Sequence, residues 1–134
     1  MLADTVVADL VRHWDEGWNG GDVDVIMAPF AGDVVFTSPG IPTVTGDASR
    51  RSIEGAGALR RYVADALARA GDVRYSVERA LAGTDTVVLV YTCHLPDGRS
   101  KPGADLLRVD GSGKVVEWCC HYATDPVAWR AEAT

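Results

Sequence analysis

The chain has 134 residues, 47% of them hydrophobic and 24% charged, with a formal net charge of −6. That length suits one domain over 1–134, and the composition is that of a folded globular chain rather than a disordered one. The acidic balance excludes a nucleic-acid footprint, because phosphates call for clustered Lys and Arg and the basic pairs Arg50-Arg51 and Arg60-Arg61 stand alone.

Val6, Val7, Leu10, Val11 and Trp14 recur at helical spacing and predict an amphipathic helix over residues 3–17. Asn19-Gly20-Gly21 ends it with residues that tolerate positive φ. Asp22 is placed to cap a short second helix from Val23 to Pro29 or Phe30. Asp33–Pro39 reads as a strand that stops at its proline. Gly40–Ser52, rich in Gly, Pro, Thr and Ser, is expected to be a mobile loop or short hairpin over the mouth of a pocket. Glu54–Ala70 is a helix with Leu59, Tyr62, Val63 and Leu67 on one stripe, closed by Gly71. The period then changes to two. Strands are predicted at Val73–Leu81, Thr86–Leu95, from Lys101 or Ala104 to Val109, and Lys114–Ala123. Gly83-Thr84-Asp85, Pro96-Asp97-Gly98 and Asp110-Gly-Ser-Gly113 are the turns between them. Asp125-Pro126 starts a last helical turn carrying Trp129. The fold class is α+β, with the helices of the N-terminal half covering one side of a strongly curved sheet.

Asp105, His94 and Trp118 sit inside these strand patterns where a plain core uses aliphatics. Burying an unpaired charge costs several kcal/mol or shifts its pKa, so a sheet curved around a pocket is the simplest account of them. Asp105 points inward if Leu107 and Val109 do. His94 shares parity with Val88, Val90 and Thr92, and the turn after it brings it to the strand beside Asp105. A His–Asp pair in an apolar cup is a candidate general base. Trp14, Phe36, Val63, Trp118, Cys120 and Tyr122 are the expected walls of a site for an apolar ligand. The Cys120 thiol is read as a small hydrophobe. His121 alternates to the other face, and His13 is expected in solvent. No metal and no organic cofactor are expected: Asp, His and Cys do not converge, and Gly17-Trp-Asn-Gly-Gly21 follows a helix, not a strand. No apolar run approaches the ~20 residues of a membrane span. No signal peptide is expected from the residues at the N-terminus, and three cysteines make no disulfide framework. A cytoplasmic protein is expected, and the richness in Ala, Val, Asp, Gly and Arg suggests a GC-rich bacterial source.

Several stretches carry a resemblance. Trp14 to Gly21-Asp22-Val23-Asp24, Phe30-Ala-Gly-Asp33-Val-Val-Phe36, Gly55–Leu67, and Asp105-Leu-Leu-Arg108 followed by Gly113-Lys114-Val-Val-Glu117 resemble nuclear transport factor 2-like proteins. Within that superfamily the chain is similar to SnoaL-like polyketide cyclases and ketosteroid isomerases. The resemblance implies a cone-shaped fold, mixed or antiparallel in its sheet, and a homodimer through the open sheet face. In the isomerases the oxyanion hole is a helix tyrosine and a strand acid; those positions fall on Trp14 and Asp105. Their general base falls on Ser38, which is too weak an acid and base to shuttle a proton unaided. The cyclases' last-strand aspartate falls on Cys120 and the histidine before it on Trp118. In limonene-epoxide hydrolases an arginine is expected where Gly103 stands. No known constellation of the fold is complete. Two readings stay open. One is an isomerase, cyclase or hydrolase using Asp105 and His94, with Ser38 as accessory, on a small polyketide-like or cyclic-ketone ligand. The other is a binding or accessory domain that keeps the pocket without the chemistry.

Overall fold

The computed structural model describes residues 1–124. The predicted turn at Asp125-Pro126 with Trp129 lies outside the described residues. The elements run α1 (Asp4–Gly20), α2 (Val23–Met27), β1 (Phe30–Thr37), α3 (Ile41–Thr45), β2 (Ser52–Glu54), α4 (Ala56–Ala70), β3 (Arg74–Ala82), β4 (Thr86–His94), β5 (Ser100–Val109) and β6 (Val115–Tyr122). The six strands form one sheet in the order β2-β1-β6-β5-β4-β3. β3 to β6 are an antiparallel meander, as the alternating pattern predicts. β1 joins it in parallel beside β6, so the sheet is mixed.

α1 runs three residues past its predicted end. Gly21, at φ 62°, closes it in the left-handed conformation that glycine adopts without a Cβ clash. The extra turn has a use: Asn19 at its tip receives the backbone N–H of Tyr75 at 2.8 Å and donates to the same residue's carbonyl at 2.9 Å, stitching the helix end to β3. Asp22 caps α2 as predicted, its carboxylate accepting from the Val25 N–H.

The segment 40–52 departs from the sequence expectation only at its start: a helical turn, Ile41–Thr45, opens it, an exposed loop follows over 46–51, and Ser52 begins the edge strand β2. Pro42 sits in the first turn of α3, where its missing N–H is harmless, and Ile41 is fully buried. Ile53 buries from β2 while β2 pairs with β1. Two apolar side chains thus anchor the ends of a stretch that its Gly, Pro and Ser content marks as loose.

The helices pack on the concave face of the sheet. From the strands, Val34, Phe36, Val87, Leu89, Tyr91, Leu107, Val109, Val115 and Trp118 are buried there; from the helices, Leu10, Trp14, Ile26, Leu59, Tyr62 and Val63. α1 crosses α2 at Gly17, where a Cβ would stand 2.5 Å from Ile26 Cγ1 and 2.9 Å from its backbone nitrogen. A backbone atom cannot swing aside. Gly17→Ala is therefore expected to destabilise the fold by about 1–3 kcal/mol through overpacking. Urea denaturation measures it, and an unchanged midpoint would show that α1 and α2 separate freely.

Candidate functional site

Strand pairing decides which side chains share the cup. Asp105 lies opposite Leu89 on β4 and Cys120 on β6, and directly paired residues project to the same face. The inward set is therefore Leu89, Tyr91 and Cys93 on β4, Asp105 and Leu107 on β5, and Trp118, Cys120 and Tyr122 on β6. α1 lays Trp14 across them.

Asp105 is 1% exposed. The indole N–H groups of Trp14 and Trp118 both donate to its Oδ2 at 3.0 Å. The hydroxyl of Tyr91 donates to Oδ1 at 3.0 Å. Burial pushes the carboxyl above its ordinary range, and the bonds from Trp118, Trp14, Tyr91 and Cys120 oppose that shift without cancelling it. The two indoles only donate, so Oδ2 stays an acceptor in either protonation state. A proton on Asp105 belongs on Oδ1.

Around this group lies a cavity of about 800 Å³, within the range of small-molecule sites. Trp14, Trp18, Phe36, Tyr62, Tyr75, Tyr91, Trp118, Cys120 and Tyr122 line it together with Asp105. The aromatics form a continuous wall: Trp14 packs on Tyr91 at 4.6 Å between centroids, Phe36 on Trp118 at 4.4 Å and on Tyr62 at 4.9 Å. Burial pushes the Cys120 thiol well up, with Asp105 beside it adding to the shift, so the thiol is held protonated and weakly nucleophilic.

Most of the predicted wall comes together. Trp14, Phe36, Trp118, Cys120 and Tyr122 all line the cavity with Asp105. Val63 does not: it is fully buried in the core behind it. Ser38 stands at another corner, accepting from the Gly40 N–H at 3.1 Å and bonded to the Tyr122 hydroxyl at 3.1 Å.

The predicted His94–Asp105 pair is not formed. His94 pairs with Ser100 at the far end of β4 and is exposed, and its ring meets Ser76 at 3.0 Å. It lies five residues along β4 from Leu89, the partner of Asp105, roughly 17 Å at the rise of a strand. An odd offset also turns it to the opposite face. His13, expected in solvent, is half-buried and bonds the Asp9 carbonyl. His121 is on the outer face, against the Ala104 carbonyl.

Tyr91, Tyr75 and Trp18 are cavity residues that the sequence reading missed. The signal for Tyr91 was there: it alternates with Val87 and Leu89, which are fully buried. Among the described residues no group of three or more His, Cys, Asp or Glu is placed to hold a metal ion, and no helix is long and apolar enough to cross a membrane.

The sequence pattern of the SnoaL-like domain family matches residues 11–118. No curated protein matches the chain. Among solved structures, a SnoaL-like protein of unknown function from Burkholderia thailandensis superposes with a TM-score of 0.77 at 23% identity, covering 92% of this chain and all of that one. A nuclear transport factor 2-like protein of unknown function from Cytophaga hutchinsonii gives 0.65 at 15% identity, over 97% and 99% of the two chains. A protein from Catenulispora acidiphila with a ketosteroid isomerase-like fold, in complex with trimethylamine, gives 0.68 at 21% identity over 92% of each. Identities this low show the shared fold alone.

The Asp105 cluster makes a double prediction. Asp105→Leu strands two indole N–H groups and a phenol, and is expected to cost about 2–4 kcal/mol. Asp105→Asn keeps an oxygen for the indoles and an amide for Tyr91, and is expected to fold as well as the parent. The parent carboxyl keeps its proton to higher pH when folded than when unfolded, so the folded state binds more protons in that window. Stability from this group is therefore lost as pH rises from the ordinary carboxylate range through the raised value. Urea midpoints of parent minus Asp105→Asn should fall across that window; a flat difference would refute the raised pKa.

Proposed function

The chain belongs to the SnoaL-like domain family, and on that premise we propose that it binds a small, largely apolar, ring-bearing molecule in its cup. One observation carries this reading: a cavity of about 800 Å³ walled by aromatic rings whose single buried carboxyl is already engaged by three donors of the protein itself. Flat apolar ligands gain from stacking and edge contacts with such walls. A general base needs a free lone pair aimed at its substrate. Asp105 has spent most of its acceptor capacity on Trp14, Trp118 and Tyr91, and no histidine stands beside it. Binding without base chemistry is the function these groups suit best.

A second reading rests on the raised pKa of Asp105. A protonated Asp105 would donate from Oδ1 to Tyr91, freeing the phenol proton to polarise a ligand, as acid catalysis of isomerisation or cyclisation needs.

The expected homodimer belongs to this proposal too. Val88, Val90 and Leu106 are only half-buried on the open face of the sheet, and Leu81 there is 56% exposed. A second copy would cover this apolar face. Light scattering is expected to give twice the chain mass, and a monomer at micromolar concentration would remove this part of the proposal.

Naphthalene titrated into the protein is expected to quench tryptophan fluorescence saturably, one molecule per chain. Ala66 lines the cavity from α4. Ala66→Phe fills part of it and is expected to weaken binding by at least about fivefold, the low end of an overpacking cost, with the circular dichroism spectrum unchanged. Equal binding by this variant would place the ligand elsewhere and end the proposal.

A further inference from the structure

The cavity has a second polar corner, away from Asp105. Three hydroxyl groups meet there from separate elements: Ser38 just after β1, Tyr62 from α4, and Tyr122 at the end of β6. They surround Gly40. A Cβ built on Gly40 would stand 3.5 Å from Ser38 Oγ, 3.5 Å from Tyr62 Oη and 3.5 Å from Tyr122 Oη. Gly40 has φ −81° and ψ −10°, a conformation open to any residue. Its backbone does not require glycine. The three hydroxyls are thus gathered on the side of Gly40 where a side chain would stand.

A count of protons shows what that point offers. Ser38 Oγ accepts from the Gly40 N–H, and one hydroxyl proton is used in the Ser38–Tyr122 bond. Among the described residues the Tyr62 hydroxyl makes no close hydrogen bond, although it stands beside Ser38. Three hydroxyls carry three donor protons; with Ser38 donating in its bond to Tyr122, the protons of Tyr62 and Tyr122 remain. Burial pushes Tyr62 up to about 12 and raises Tyr122 as well, so both phenols stay protonated donors at neutral pH. Gly40, Tyr62 and Tyr122 also line the cavity, and Tyr122 is 51% exposed at its solvent side, so the corner is reachable by a ligand seated against the aromatic wall.

We infer that this corner is a ligand-oxygen site, in which Tyr62 and Tyr122, organised by Ser38, hold the carbonyl oxygen of a ring-bearing ketone. The inference rests on the cup being a small-molecule site and names the polar atom such a molecule carries. The carboxyl end accepts from the protein and offers a ligand little; the hydroxyl end donates. A hydrocarbon would leave the two spare protons unpaired once it displaced water, a cost that a carbonyl acceptor removes.

Two probes of one shape separate the terms: 2-acetylnaphthalene and 2-isopropenylnaphthalene, which differ by an oxygen in place of a methylene. The parent protein is expected to bind the ketone about five- to tenfold more tightly, the ratio of one net hydrogen bond. Tyr62→Phe removes one of the two donors, and Gly40→Ala puts a methyl among the three hydroxyls without backbone strain. Each is expected to lower the ratio by at least about threefold, the share of one lost donor. The infrared carbonyl stretch of bound ketone should lie lower in the parent than in Tyr62→Phe. Equal affinities for the two probes in the parent, or a ratio that survives both substitutions, overturns the oxygen site and leaves the cavity standing. Failure of both probes to bind the parent overturns the cavity reading and the oxygen site with it.

Discussion

A carboxyl group moved from water into an apolar interior loses several kcal/mol of hydration unless fixed donors replace the water. In this cup the replacement for Asp105 comes from three side chains on three elements: Trp14 on α1, Tyr91 on β4 and Trp118 on β6. Each of these rings is large and buried. Pinned at its polar atom, each stands edge-on to the carboxyl and turns its face to a neighbour or to the cavity. The aspartate therefore acts on the shape of the site. It fixes the geometry of the aromatic wall, and in doing so it surrenders the lone pairs that a catalytic base would need.

The backbone makes room for this arrangement at one residue. Gly103 lies opposite Tyr91 across the β4–β5 pair, and a Cβ there would fall 2.6 Å from the Tyr91 ring. Glycine weakens a strand interior and marks places where another group comes close. Here the group is a phenol ring lying flat over β5, which is how its hydroxyl reaches the carboxyl two residues further along. The position where epoxide-hydrolase resemblance would call for an arginine is thus occupied by the space the tyrosine needs. A side chain at 103 and the Tyr91–Asp105 bond exclude each other.

The sequence carried the fold well because its signals were local. Amphipathic spacing in α1 and α4, Asp22 as a cap, glycine at helix ends and alternation in the last four strands each act over a few residues, and each reappears in the structure. In the segment 40–52 the loop that composition marks is present over 46–51, while buried Ile41 at its start and Ile53 just past its end anchor it, so tertiary packing overrode local propensity only there. In the site, Asp105, Trp14, Phe36, Trp118, Cys120 and Tyr122 were legible from parity and resemblance. His94 was misplaced because parity says which residues share a face of one strand, not which face of the neighbouring strand they match. That depends on register, which the turn after β4 sets and which a shift of one residue inverts. The same error hid Tyr91, the residue of β4 that does face Asp105.

Register also explains why the cup has two unlike ends. On β6 the inward residues are Trp118, Cys120, which lies opposite Asp105, and Tyr122. Trp118 offers a donor-only indole and is consumed by Asp105. Tyr122, two positions on, carries a hydroxyl that can donate or accept and meets Ser38 instead. Between them Cys120 contributes a protonated thiol, pushed up by burial, which neither competes for a ligand nor supplies a charge. One strand thus grades the cavity from a saturated acceptor to unsaturated donors across a few residues. On the proposed function, a ligand with an apolar ring and one acceptor atom would lie with its ring against Trp14, Phe36 and Trp118 and its acceptor toward Gly40. A cavity with donors at both ends, or with a free carboxylate at its base, would lose that preference, so the saturation of Asp105 by the protein's own side chains is what gives the site its direction.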